Sequence, residues 1–114
     1  MRLIYTVFGF PEEARSAAKV LIESKLAACA NYWPIKSMFY MGDSFKEKDE
    51  VSMLIKVPVK RLDEARKKLR ELNSYQVPSI IVLKPESVNN NYLKWVQSVD
   101  PKAEEQNNYD GADK

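Results

Sequence analysis

The stretch that decides the fold is AACANYWPIKSMFYMGDSFKEKDEVSMLIKV, residues 27–57. Residues 27–41 predict an extended run, in which residues 35, 37, 39 and 41 lie on one side and residues 36, 38 and 40 on the other. Gly42-Asp43-Ser44 forms a turn signal, and apolar and polar residues alternate again from about Glu50 to Val57. Two extended runs joined by a short turn predict one long β-hairpin. Pro34 lacks the N–H that a ladder needs, so we expect it at a bulge or on an unpaired edge.

The predicted hairpin is longer than the helical layer that a domain of this size can place over it. About fifteen residues per arm, at ~3.3 Å each, reach beyond the helical layer of a small domain, so the outer part is predicted to project. An apolar edge left in water favours aggregation, which predicts a partner subunit; the alternative is a hairpin that curls back over its own sheet. The apolar residues around the turn are Trp33, Met38, Phe39, Tyr40, Met41 and Phe45.

Further elements surround the hairpin. Residues 2–8 predict a strand, Pro11 begins an amphipathic helix, residues 60–72 predict a second helix, and residues 79–84 a last strand. Asn89 to Asn91 precede a short helix, for which an apolar face of Tyr92, Trp95, Val96 and Val99 is predicted. The fold class is α+β, a ferredoxin-like βαββαβ sandwich with a long projecting β-hairpin and an extra C-terminal helix. Residues 1–99 are predicted to form a single domain, and residues 100–114 a flexible tail.

The composition argues against several classes of function. The 114 residues include no histidine, which argues against Ser-His and Cys-His catalysis and against most zinc sites. Three scattered glycines cannot form a phosphate-binding loop, and 18 basic against 16 acidic residues give a net charge of only +2. We therefore predict a protein that is not an enzyme and binds neither nucleic acid nor membrane. The single cysteine, Cys29, and the lack of a leader pattern favour a cytoplasmic location.

Taken together, five segments resemble the CutA divalent-cation-tolerance family, in that family's order and near its spacing. They cover residues 26–31, 37–42, 54–56, 75–80 and 92–95. The resemblance implies a ferredoxin-like protomer, a tight homotrimer built through long hairpins, and a role in tolerance to divalent cations such as copper. Where the family has His-Pro-Tyr-Glu-Val-Pro-Glu-Ile, residues 73–80 read Asn-Ser-Tyr-Gln-Val-Pro-Ser-Ile, so a histidine and two carboxylates are absent from this position.

Candidate metal ligands are Cys29, Met38 and Met41, because thiolate and thioether sulfurs suit soft copper. A role in the core is favoured for Cys29, because free cysteine is among the most buried residue types. Packing at a subunit interface explains the two methionines equally well. Glu47, Asp49 and Glu50 offer oxygen ligands for a hard cation, although their alternation with lysines favours a solvated edge.

A second candidate site contains Lys56, Tyr75 and Gln76. The resemblance implies that these positions lie near a cleft between subunits, where an ammonium, a phenol and an amide would hold a small anion or polar ligand. A structural role for Tyr75 in the turn before the last strand is the alternative.

Three kinds of function follow. The first is a homotrimeric protein of metal-ion tolerance, with copper as the implied metal. The second is a small-ligand-binding signalling trimer without metal. The third is a nucleic-acid-binding ferredoxin-like module, against which the aromatic residues argue, since they cluster at the hairpin turn and in the last helix rather than on central strands. Acylphosphatase-type chemistry would need an anion cradle after the first strand, where this chain has Gly-Phe-Pro-Glu-Glu.

Overall fold

Four strands pair into one antiparallel sheet in the computed structural model, which describes residues 1–101 and 112–113. Their order across the sheet is β2-β3-β1-β4, so β2 and β4 form its two edges. This is the order and direction of the predicted ferredoxin-like sheet. The strands are β1 (Arg2–Phe8), β2 (Cys29–Met41), β3 (Ser44–Val57) and β4 (Ile80–Leu83).

Helices follow the predicted positions. They are α1 (Pro11–Glu23), α2 (Leu62–Leu72) and α3 (Asn90–Ser98), and a 3-10 turn (Val59–Arg61) leads into α2. Pro11 stands at the start of α1, followed by Glu12 and Glu13 in its first turn, which suits the positive end of the helix dipole.

The main core lies between one face of the sheet and the helices α1 and α2. On β3, alternate residues from Val51 to Val57 point into it, and on β1 the pairing of Ile4 with Ile55 and of Phe8 with Val51 continues the same face. From the helices it receives Ala14, Ala17, Leu21, Ala65 and Leu69, which are all buried. The predicted alternation along the returning strand is confirmed.

Helix α3 packs on the opposite face of the sheet. Its Leu93 and Val96 form a second cluster with Met1 and Leu3, whose side chain lies on the other side of β1 from Ile4. The apolar face predicted for this helix was wrong in part, because Leu93 is fully buried while Trp95 is 49% exposed. Helical periodicity alone does not tell which side of a helix with apolar residues on both sides meets the sheet.

The hairpin is regular and projects. Pairing runs without a break from Cys29 with Lys56 to Met41 with Ser44, and Gly42 at the turn has a φ of 62°. Pro34 pairs in register with Val51 on the edge strand, so of the two predicted settings the edge is correct and there is no bulge at that point of the ladder. The protein measures 50 × 26 × 20 Å, and the hairpin does not curl back over its own sheet.

Within the predicted tail, Asp100 is buried and Ala112–Asp113, β6, pairs in parallel with β5 (Val88–Asn89). Residues 102–111 and 114 lie outside the described residues, so the flexible tail remains a prediction. No helix in the described part of the chain has the length and apolar character needed to cross a bilayer.

Candidate functional site

The loop between α2 and β4 is held in place by a buried asparagine. Asn73 donates from Nδ2 to the carbonyl of Val7 at 2.9 Å, and its Oδ1 accepts from the backbone N–H of Tyr75 at 2.9 Å. The next N–H, that of Ser74, donates to Oε1 of Glu13 on α1 at 2.8 Å. These bonds tie the loop to both β1 and α1. The backbone that carries Tyr75 and Gln76 is therefore held in a fixed position.

Tyr75 joins this loop to the hairpin. Its hydroxyl donates a short hydrogen bond to Oε2 of Glu50, and Nζ of Lys48 lies 4.7 Å from the ring centroid, within cation–π range. Gly9 permits the approach, because a Cβ there would lie 3.3 Å from the tyrosine hydroxyl. One side chain therefore ties the ends of three segments together.

The environment of Tyr75 favours the protonated phenol. Burial, followed by the hydrogen bond to Glu50, raises the pKa of Tyr75 above its ordinary value of 10.0, while Lys48 opposes the shift. The hydrogen bond to Tyr75 in turn raises the pKa of Lys48. Since the phenol proton is already donated to Glu50, the hydroxyl is not a free donor for a ligand.

A cleft of about 390 Å³ lies beside this loop, between α2 and β4. We call it the α2 cleft. Its polar walls are Arg66 and Arg70, one helical turn apart, and Tyr75 and Gln76 from the loop. Its apolar lining comes from Val77, Pro78 and Ile80.

The predicted Lys56 lies at the other end of the sheet. Its Nζ donates to Oδ1 of Asn31 at 2.5 Å and lies 3.9 Å from Sγ of Cys29. Lys56 pairs with Leu3 on β1, and Leu3 is six residues, or roughly 20 Å, before Gly9, which lies beside Tyr75. One protomer thus brings Tyr75 and Gln76 together but not Lys56, and a shared cleft between subunits stays a prediction.

The candidate sulfur ligands also lie apart within one protomer. Cys29 is at the base of the hairpin, and Met38 and Met41 are nine and twelve residues further along the same strand, or roughly 30 and 40 Å away. The two methionines point to opposite faces of the ladder because they are an odd number of residues apart. Among the residues that the structure describes, no group of three His, Cys, Asp or Glu side chains is placed to hold a metal ion.

Two of the three acidic residues after the turn have separate partners. Asp49 forms an ion pair with Lys36 across the ladder at 2.6 Å, and Glu50 accepts from Tyr75. Glu50 also lies on the opposite face from Glu47 and Asp49. Their arrangement fits the charged, solvated edge better than a cation site.

Sequence reasoning missed the partners that complete the site. Glu50 and Tyr75 are 25 residues apart, and no local pattern connects them. Arg66 and Arg70 were visible as part of a basic helix face, and their i, i+4 spacing was the one signal that both would line the same cleft.

Known proteins share both the sequence pattern and the fold. The family model of the CutA1 divalent ion tolerance protein matches residues 2–99. The divalent-cation tolerance protein CutA of Pyrococcus horikoshii is 32% identical over 96 residues, which are 84% of this chain and 94% of that protein. A crystal structure of the same protein has a TM-score of 0.84 at 31% identity and covers 87% of this chain and 98% of its own.

Two further solved structures are similar. The periplasmic divalent cation tolerance protein CutA from Archaeoglobus fulgidus has a TM-score of 0.82 at 33% identity, covering 87% of this chain and 98% of that one. The PII-like protein CutA from Nostoc sp. PCC 7120 has a TM-score of 0.80 at 24% identity over 87% of this chain and 96% of its own, a likeness of fold alone. On the extent of the family match and the agreement of fold, this chain belongs to the CutA1 divalent ion tolerance family.

Proposed function

We propose that this protein is a non-enzymatic homotrimer of the divalent-cation-tolerance type, linked to the response to metal ions such as copper or to their binding. Family membership supports the link to divalent cations. The observation that carries the assembly is the exposed apolar outer hairpin. We define the outer hairpin as residues 38–47.

Large apolar side chains of the outer hairpin are in solvent in a single protomer. Met38, Tyr40 and Met41 are 66%, 71% and 64% exposed, and Phe45 is exposed beside Tyr40, with ring centroids 5.6 Å apart. A soluble protein rarely leaves such a patch uncovered on a projecting strand pair, because it favours aggregation. A second copy of the chain is the simplest cover.

Pairing between the sheet edges of different subunits would form a closed ring. β2 and β4 are the two edges of the sheet, and they differ in length and side chains. Pairing one kind of edge with the other is a heterologous contact, and such contacts close into rings when the rotation permits. Three is the subunit number that the family resemblance implies.

Direct metal binding by the candidate sulfur ligands would also require assembly. Cys29, Met38 and Met41 are too far apart in one protomer to share an ion, so a copper site built from them needs sulfurs from more than one subunit. Copper is the metal that such soft donors favour.

Sedimentation tests the assembly. We expect a mass near three times 13.2 kDa, about 40 kDa, at micromolar protein. Tyr40→Glu places a charge in the proposed interface and should raise the trimer dissociation constant by at least about thirtyfold, as for a hot-spot residue. Lys19→Glu, on the exposed side of α1, is the control and should sediment as the trimer. A wild-type monomer at this concentration would refute the homotrimer.

Metal titration tests the binding. Calorimetry with Cu(I), Cu(II) and Zn(II) should show copper binding by the wild-type trimer that is lost in the Tyr40→Glu variant. Binding that is equal in both proteins would place the metal site within one protomer and contradict ligands shared between subunits. No heat with any of the three ions would refute direct binding.

The α2 cleft favours a second function, a small-ligand-binding regulatory trimer without metal. It combines two arginines and an amide with an apolar lining, the composition of a small-molecule site. The two functions differ in the ligand: the first is linked to a metal ion, and the second binds a small molecule without a metal.

We also place the protein in the cytoplasm, supported by its single cysteine, Cys29, which is free. The Archaeoglobus fulgidus relative is described as periplasmic. Cell fractionation distinguishes the two locations, and recovery outside the cytoplasmic fraction would contradict this part of the proposal.

A further inference from the structure

We infer that the α2 cleft binds a small organic anion, in which a carboxylate or phosphate group is attached to an apolar or planar body. The cleft shares Tyr75 and Gln76 with the predicted intersubunit site, and this inference deepens the small-ligand form of the proposed function. It adds Arg66 and Arg70 and needs neither Lys56 nor a metal. All of its described walls come from one protomer.

The two arginines of the cleft differ from their neighbours along α2. Arg61 forms an ion pair with Glu64 at 3.1 Å, and Lys68 with Glu71 at 3.5 Å, both at i, i+3 spacing. No such pair is formed by Arg66 or Arg70 with any described residue.

Like charges at i, i+4 face each other on a helix and destabilise it. Arg66 and Arg70 have this spacing and both line the cleft. A bound anion would accept from both guanidinium groups, whose planar forks match the oxygens of carboxylate and phosphate. The ligand would therefore relieve the repulsion that the free cleft contains.

Two carboxylates close to the loop are engaged elsewhere. Glu13 accepts from the N–H of Ser74 at 2.8 Å, and Glu50 accepts from Tyr75. Neither lines the cleft, and its described lining contains no acidic residue. The charge in the cleft is therefore positive and open to an anion from solution.

The remaining walls suit the body of the ligand. The hydroxyl of Tyr75 donates to Glu50 and Nζ of Lys48 lies over its ring, so this wall is ordered before a ligand arrives. A pre-ordered wall reduces the entropy lost on binding. Val77, which is 89% exposed, and Pro78 offer apolar surface next to it, and the Gln76 amide adds a donor. The volume of about 390 Å³ fits a metabolite-sized molecule rather than a macromolecular segment.

Ligand-observed saturation-transfer NMR tests the inference with phenyl phosphate, benzoate, inorganic phosphate and phenol as probes. Phenyl phosphate and benzoate carry an anion on a planar body, and their relative affinities separate a phosphate from a carboxylate preference. Both should bind saturably below about 10 mM. Phenol should show no saturable binding, and inorganic phosphate should compete at about tenfold higher concentration.

Three variants locate the site. Arg66→Gln and Arg70→Gln should each weaken binding of the preferred probe about tenfold, as expected for loss of a charge-assisted contact. Lys67→Gln removes the same charge from an exposed neighbour that does not line the cleft, and it should change affinity less than about twofold. Circular dichroism of each variant checks that α2 is intact.

Equal binding by the wild type and both arginine variants would overturn the inference, as would no saturable binding of either aromatic anion. Equal losses in Lys67→Gln and Arg70→Gln would mean general charge attraction, and would also overturn it. Sedimentation of the same samples gives the subunit number separately, so failure of the anion site is distinguishable from failure of the trimer.

Discussion

The two ends of the hairpin share one hydrogen-bonded ladder and have opposite surroundings. In the inner half, Met53 and Ile55 are fully buried, whereas in the outer hairpin Met41 and Tyr40 are 64% and 71% exposed. Both halves carry large apolar side chains. The difference shows that a regular ladder and an apolar composition do not by themselves make a core, because a covering layer is also needed.

Element lengths explain where the covering layer ends. α1 has 13 residues and spans roughly 20 Å, whereas the 14 residues of β3 span roughly 46 Å. The helices therefore cover only the inner half of β3. Apolar residues beyond that point have no helix of their own chain to pack against, and under the proposed function another subunit covers them.

The largest expected effect comes from comparing two methionines of the same hairpin. Met53→Ala should lower the free energy of unfolding by about 2–5 kcal/mol, the usual cost of such a truncation in a core. Met41→Ala should have an effect that changes with protein concentration, because its burial depends on association. Guanidinium unfolding at two protein concentrations measures both. Equal, concentration-independent losses would remove the distinction between the two halves.

The Tyr75 contact links the two halves at their junction, and its loss should have a smaller effect. Tyr75→Phe keeps the ring but removes the hydrogen bond to Glu50, which should cost about 1 kcal/mol because the site is only partly buried. Tyr92→Phe, on α3, is the matched control. Urea unfolding of both variants should show a clear loss for Tyr75 alone, and comparable losses would contradict a special role for this contact.

The same contact predicts a pH dependence. Because the folded protein holds the phenol proton more tightly than the unfolded chain, the stabilisation is complete below pH 10.0. It should be lost as the pH rises through the higher folded value. The difference in unfolding free energy between wild type and Tyr75→Phe should therefore shrink above pH 10.0. A difference that grew in this range would mean that the pKa of Tyr75 is lowered in the folded protein.

The smallest effect is expected from the ion pair of Lys36 and Asp49, between the junction and the turn. Their side chains are 77% and 78% exposed, so solvent screens the attraction and the pair should contribute at most about 0.5 kcal/mol. A double-mutant cycle with Lys36→Ala and Asp49→Ala at low and high salt measures it. A coupling well above 1 kcal/mol would show that this segment is buried in the assembled protein.

Most of the fold was predictable because its signals are local. The strand predicted at residues 2–8 is β1 (Arg2–Phe8), and the alternation from Val51 to Val57 correctly assigned the core face of β3. Prediction was wrong on α3, where Leu93 and Trp95 lie on opposite sides of the helix and only Leu93 is buried. Which of them is buried depends on the sheet beneath, and periodicity does not describe that sheet.

The candidate site was predictable only in part. Tyr75 and Gln76 are neighbours in the chain and remain neighbours at the α2 cleft, but Lys56 lies at the other end of the sheet. Glu50, which accepts the tyrosine proton, reaches it only because β3 and the loop before β4 meet at the end of β1.

By itself, the sequence determined the order of the elements, the long hairpin and the absence of histidine, because alternation, turn residues and composition are properties of the chain. Only the tertiary structure decided that Tyr75 donates its phenol proton to Glu50, and that Arg66 and Arg70 line one cleft whose described lining contains no carboxylate. These features depend on contacts between residues far apart in the chain. Such contacts form only when the sheet and helices pack together, so local sequence patterns do not predict them.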